Sequence, residues 1–153
     1  VDGVAGRLDI ARTLGADVTV NFREVDVVDE ILRLTDGRGV DVAIEALGLQ
    51  STFEAALRVL KPGGTLSSLG VYSDDLRIPL GAYGAGLAEK NIVSSLCPGG
   101  KERMRRLMNI VAAQRLDLGP LVTHTYALDD IVAAYELFGH QRDGVLKVAI
   151  KPS

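Results

Sequence analysis

The chain has 153 residues, with 17 Lys and Arg against 20 Asp and Glu, a formal net charge of −3, and 47% apolar and 24% charged residues. That balance excludes disorder and describes one folded domain, because disordered chains carry fewer apolar residues and less balanced charge. No window approaches the ~20 unbroken apolar residues of a membrane helix and no charged segment leads into an apolar export signal, so no membrane partner is expected and the expected location is cytoplasmic.

The first residues, Val1-Asp2, lack a methionine, and the natural chain is expected to be longer. Asp2 follows a strand-like Val1 and precedes a helix. An acid there either accepts hydrogen bonds from an adenosine ribose, as at the end of the second strand of a dinucleotide-binding fold, or caps the helix after it. Residues 4–14 read as that helix, ended by Gly15, and residues 18–22 as a strand. Val28, Ile31, Leu32 and Thr35 mark one helical face, residues 36–39 a turn, and residues 40–46 a nearly continuous apolar strand interrupted by Asp41 and Glu45 near its ends.

Ser51 with Glu54 three residues on forms a capping-box signal, and Phe53, Ala56, Leu57 and Leu60 recur at helical spacing. Lys61-Pro62-Gly63-Gly64 ends that helix, and residues 65–71 form the next strand. Residues 72–90, with glycines at 81, 84 and 86 out of any phosphate-loop spacing, read as a long functional or interface loop. Within it, residues 76–80 are expected to form an edge strand. Residues 92–96 are a strand that reaches Cys97, the only cysteine, which can close no internal disulfide. Its place at a strand's C-terminal end suits packing against a ligand, and no histidine near it in sequence supports a nucleophile.

Met104, Leu107, Met108 and Val111 line one face of the following helix. Its arginines 103, 105 and 106 read as a solvated face, which with the net acidity excludes nucleic acid as the expected partner. His124 reads as structural. Residues 128–138 are the last helix and residues 146–150 the last strand. Apolar runs of about five residues thus alternate with amphipathic stretches of about a dozen, the pattern of βαβ units around a parallel sheet.

In order, Val1-Asp2, Arg7-Leu8, Leu14-Gly15-Ala16-Asp17, Gly39-Val40-Asp41, Leu60-Lys61-Pro62-Gly63-Gly64, Leu69-Gly70, Cys97-Pro98-Gly99-Gly100 and Leu121-Val122-Thr123-His124 resemble the zinc-dependent medium-chain alcohol dehydrogenases. Ser95-Leu96-Cys97-Pro98-Gly99-Gly100 followed by Arg103-Met104 resembles the secondary-alcohol branch, and the likeness runs through essentially the whole chain. The resemblance implies a Rossmann-type, doubly wound parallel α/β sheet lacking strand 1 and most of strand 2, together with the family's C-terminal segment. It implies hydride transfer between a secondary alcohol, or its ketone or aldehyde, and NAD(H), assisted by zinc, in a homodimer or homotetramer.

Residue by residue, the resemblance makes Asp2 the ribose ligand that favours NAD over NADP, with Arg7 flanking the adenosine ribose. Ala46 and Leu47 pack along the adenosine. Leu69, Gly70 and Val71 hold the nicotinamide carboxamide, Ser95, Leu96 and Cys97 form a second nicotinamide segment, and Lys147 faces the pyrophosphate. The family's zinc ligands, proton relay and glycine fingerprint lie upstream of anything in this chain, so no catalytic or metal residue is expected here, and the chain alone is expected to be inactive. An incomplete sheet leaves residues 40–46 with an open edge, to be filled by a longer polypeptide, strand exchange or rearranged pairing. The alternatives are a zinc-free quinone reductase of the same superfamily, an S-adenosylmethionine-dependent methyltransferase, which shares the Lys-Pro-Gly-Gly turn but ends in an antiparallel hairpin, and a non-catalytic fragment.

Overall fold

The computed structural model describes residues 1–96 and 99–152. Its elements follow in the order α1 (Ala5–Thr13), α2 (Val27–Leu34), β1 (Val40–Glu45), α3 (Gln50–Arg58), β2 (Leu60–Ser68), α4 (Leu80–Tyr83), β3 (Asn91–Ser94), α5 (Lys101–Ala112), β4 (Val122–Ala127), α6 (Ile131–Gly139) and β5 (Lys147–Lys151). They group into two compact units, one of residues 1 and 20–98, the other of residues 2–19 and 99–153. The chain is therefore α/β with strands joined through helices, as the alternating pattern predicts.

In the first unit β1, β2 and β3 form a parallel sheet in that order. Ala43, Leu66 and Ile92 align across it, and with Phe53 and Leu57 of α3 they make the core, in which Leu57 and Leu66 are fully buried. The opposite sheet face, carrying Val42, Ile44 and Val93, is exposed. The Lys-Pro-Gly-Gly turn sits inside β2: Val40 pairs with Leu60 but Val42 with Thr65, so residues 61–64 bulge out of the ladder. Gly63 takes a φ of +73° there, open only to a residue without a Cβ penalty. Asp26 caps α2, its carboxylate accepting from the Val28 and Asp29 amides at 2.8 and 3.0 Å.

Three expectations are corrected in this part of the chain. Residues 18–22 form no strand beyond a single bridge position at Asn21. Asn21 begins a turn instead: its side-chain oxygen accepts from the Arg23 amide and its carbonyl from the Glu24 amide, while Val18 and Phe22 stay exposed. The Ser51–Glu54 capping box does not form, because α3 starts at Gln50 with Leu49 at its N-cap and Glu54 pairs with Arg58. Residues 76–80 pair with no strand among the described residues: Leu80 begins α4, and Gln50 takes a partner strand's place beside Arg77, its side-chain amide donating to the Arg77 carbonyl and accepting from the Arg77 amide, both at 2.9 Å. The long loop also holds α4, which Gly84 ends at a φ of +64°.

In the second unit β4 and β5 form a parallel pair against which α6 packs, and Leu8, Ala134, Leu137 and Val145 are buried. Sequence periodicity misses β4, whose Val-Thr-His-Thr-Tyr-Ala run alternates with little apolar contrast. In α5 the stripe of Met104, Leu107, Met108 and Val111 forms as predicted, but none of its residues is buried. Among the described residues, no helix is long and apolar enough to cross a membrane.

Candidate functional site

The three parallel strands of the first unit stop on one line. Glu45 pairs with Ser68 and Ser68 with Ser94, so β1, β2 and β3 end in register and the segments after them leave the sheet side by side. Open parallel sheets collect ligands at such carboxyl ends, because loops from adjacent strands converge there while the sheet holds them rigid. Ala46 and Leu47 follow β1, Leu69, Gly70 and Val71 follow β2, and Ser95 and Leu96 follow β3. Cys97 lies outside the described residues. Leu47, Val71 and Leu96 project apolar side chains that are 66%, 78% and 81% exposed, an apolar rim above a polar strand end.

Beneath that rim lies a carboxylate that sequence reasoning passed over. Glu45 is 3% exposed. Its Oε1 accepts from the Leu47 and Gly48 amides, each at 2.8 Å, and from the Thr52 hydroxyl at 2.7 Å. Its Oε2 accepts from the Tyr72 hydroxyl at 2.6 Å, and Ser68 Oγ lies 2.8 Å from that same hydroxyl. Burial, the largest single influence, pushes the Glu45 carboxyl up, but the bonds from Tyr72, Gly48, Thr52 and Leu47 together outweigh it and hold the group below the usual carboxylate range. Burial pushes the Tyr72 phenol up, and Glu45 adds to that shift. Tyr72 also stands edge-on to Phe53, ring centroids 6.1 Å apart, which ties the network to the core. The signal was present in the sequence as an acid at the end of an apolar strand.

A part-buried polar contact ties the end of α3 to α4. Lys90 donates to the carbonyls of Leu57 and Ala82 at 2.7 and 2.8 Å, and burial with the nearby Arg58 charge pushes its ammonium pKa down.

In the second unit, Asp2 Oδ1 accepts from the Val4 amide at 2.9 Å, so this acid does brace the start of α1. Its Oδ2 lies 3.9 Å from the Arg7 guanidinium, which also donates to the Val145 carbonyl at 3.4 Å. The structure thus brings Asp2 and Arg7 together. Lys147, the first residue of β5, is exposed, and its carbonyl accepts from the Thr123 hydroxyl at 3.3 Å. The two imidazoles are occupied locally, His124 Nδ1 lying 2.9 Å from Thr123 Oγ1 and His140 Nδ1 2.8 Å from the Glu136 carbonyl. No group of three or more His, Cys, Asp or Glu among the described residues could hold a metal ion, so these residues do not fit a zinc site.

Parallel strands that end together beneath a row of loops define the class of open α/β folds. The family model described as zinc-binding dehydrogenase matches residues 1–113. An alcohol dehydrogenase of Cupriavidus necator is 69% identical over 152 residues, covering 99% of this chain and 42% of its own length. The NADP-dependent isopropanol dehydrogenase of Thermoanaerobacter brockii is 35% identical over 146 residues, 94% of this chain and 42% of that one. Among solved structures, zinc-dependent alcohol dehydrogenase 2 of Streptococcus pneumonia matches with a TM-score of 0.87 at 32% identity, over 99% of this chain and 43% of that one. The chain belongs to the zinc-binding dehydrogenase family, among the zinc-dependent medium-chain alcohol dehydrogenases, and corresponds to their C-terminal part. It spans about 42% of the length of the curated relatives it matches.

Proposed function

We propose that the protein is a cytoplasmic dehydrogenase that moves a hydride between a secondary alcohol, or its ketone or aldehyde, and NAD(H), with zinc held by sequence outside these residues. The observation that carries this reading is the common line on which β1, β2 and β3 end, with the dinucleotide-facing residues of the resemblance directly after it. Gly70 lets the segment after β2 sit against the segment after β1, since a Cβ there would overlap Glu45 Oε2 and the Gly48 amide.

When bound, the nicotinamide accepts or returns the hydride. The chain's own residues bind and orient it. The backbone of Leu69, Gly70 and Val71 holds the carboxamide, Ser95, Leu96 and Cys97 flank the nicotinamide, and Ala46 and Leu47 pack along the adenosine. Asp2 accepts from the ribose hydroxyls beside Arg7, and Lys147 faces the pyrophosphate. The carboxylate of Asp2 repels a 2′-phosphate, so NAD⁺ is the cofactor, in contrast to the NADP dependence named for the Thermoanaerobacter relative.

Titrating the full chain with NAD⁺, NADP⁺ and S-adenosylmethionine tests this reading. NAD⁺ is expected to bind more tightly than NADP⁺ by on the order of tenfold or more. Preference for NADP⁺ overturns the Asp2 assignment, and binding of S-adenosylmethionine alone overturns the dehydrogenase reading. The parallel β4–β5 pair already disfavours a methyltransferase, which needs an antiparallel hairpin there. Zinc retained by the purified protein, with alcohol-dependent reduction of NAD⁺, distinguishes it from a quinone reductase.

A homodimer or homotetramer is part of the same reading. Gln50 fills both backbone groups of Arg77, and the neighbouring Ile78 keeps an exposed apolar side chain that a second copy would cover. Ile78, 51% exposed, is the residue to change. Ile78→Lys is expected to shift the sedimentation profile toward monomer, and an unchanged profile removes this edge from the interface.

A further inference from the structure

A carboxylate at the end of β1, among the loops of a ligand site, is where a catalytic acid or base would be sought. Glu45 cannot serve as one: it is 3% exposed and both oxygens are already filled. What it does instead is hold two loops at once. Through Oε1 it takes the Leu47 and Gly48 amides, and through its carbonyl it takes the Leu69 and Gly70 amides at 2.7 and 3.2 Å. Thr52 anchors the same carboxylate to α3, and Tyr72 anchors it to the segment beyond β2.

No side chain separates the two loops at their closest point. A Cβ on Gly48 would overlap the Val71 carbonyl, and one on Gly70 would overlap the Gly48 amide. The loops are therefore fixed backbone to backbone, with Leu47 and Val71 left facing outward. Residues 46–48 lie past the last ladder pair of β1, so the sheet itself does not order them, whereas the Leu69 and Gly70 amides stay tied to the Glu45 backbone carbonyl. A ligand arriving at unordered loops loses affinity to the cost of ordering them.

Resting on the dinucleotide-binding reading, we propose that Glu45 is a positioning residue for the dinucleotide, holding residues 46–48 and 69–71 in their receiving shape without touching the cofactor. Tyr72 and Thr52 are its partners in that role. Removing the carboxylate frees the Leu47 and Gly48 amides and the Tyr72 hydroxyl while the Glu45 backbone carbonyl keeps its hold on Leu69 and Gly70, so residues 46–48 loosen against residues 69–71 and dinucleotide affinity falls while turnover at saturating dinucleotide is little changed.

The test measures NAD⁺ and NADP⁺ affinity, the split between KM and kcat, and amide hydrogen exchange in the full chain and in Glu45→Ala, Glu45→Gln, Thr52→Val and Tyr72→Phe. In Glu45→Ala, exchange at Leu47 and Gly48 is expected to accelerate and Kd for the dinucleotide to rise by about tenfold. Glu45→Gln keeps an acceptor oxygen for Leu47, Gly48 and Thr52, and is expected to recover most of that loss. Thr52→Val and Tyr72→Phe each remove one donor, and a rise of about threefold in either carries the same conclusion if Glu45→Ala fails to fold. Unchanged affinity in folded Glu45→Ala, or equal losses in the Gln and Ala variants, overturns the assignment. A wild-type chain that binds neither dinucleotide overturns the cofactor reading along with it, whereas wild-type binding that every variant retains overturns the role of Glu45 alone.

Discussion

The two ends of β1 carry a carboxylate each, and they are handled in opposite ways. Asp41, near the start, is exposed and lies against the cations of Lys61 and Arg38, and the Lys61 hydrogen bond and charge hold its carboxyl below the usual range. Glu45, at the end, is buried and is met by two backbone amides and two hydroxyls, with no cation among its bonding partners in the described residues. Both groups stay ionised, but the first depends on charge screened by water and the second on fixed dipoles shielded from it. A buried anion met by fixed donors specifies one geometry, whereas an exposed ion pair tolerates many. The difference teaches that the end of the strand where a ligand would dock is the end whose polar groups are pinned.

The most forceful way to break this contrast is Glu45→Ala, which strands four donors in a buried site. It is expected to lower stability by about 3 kcal/mol, read from the denaturation midpoint. Gly48→Ala attacks the same end from the backbone, since Gly48 holds a φ of +88° against the Val71 carbonyl. A loss of about 2 kcal/mol is expected by the same measurement. Tyr72→Phe removes one donor and keeps the ring against Phe53, for a loss of about 1 kcal/mol.

Acid sharpens the comparison. The folded Glu45 carboxyl titrates below its ordinary value of 4.5, so the stability it contributes is complete above that value and is lost as pH falls through the lower folded value. Glu45→Gln is expected to flatten the acid side of a stability profile measured between neutral pH and that range. The smallest effect is expected at the other end: Asp41→Asn should leave the denaturation midpoint unchanged within error, and added salt should not alter that result. A large loss on Asp41→Asn would erase the distinction between the two ends.

Much of this was legible before any coordinates. Helices α1, α2, α3, α5 and α6 fall where apolar spacing puts them, and the three strands of the first unit follow from the βαβ alternation, although they end at Glu45, Ser68 and Ser94 where the sequence pattern runs on to residues 46, 71 and 96. The errors share a cause. Residues 18–22 have strand composition, but a strand exists only through its neighbour, and Asn21 turns the chain instead. The capping-box signal at Ser51 and Glu54 is a local pattern, and α3 starts before it, at Gln50, two residues ahead of Thr52, whose hydroxyl is bound to Glu45. Glu45 itself looked like an interruption near the end of an apolar run.

By itself the sequence determined the order of helices and strands, the parallel α/β class and the glycine positions, because those depend on residues within a turn or a strand of one another. Tertiary structure alone decided that Glu45 meets Tyr72, 27 residues away, and that Gln50 meets Arg77 at the same separation. The reason is geometric: a parallel crossover returns the chain to the same edge of the sheet only after a helix or a long loop. The partners that pin the carboxyl end of β1 are therefore neighbours in the fold and strangers in the chain.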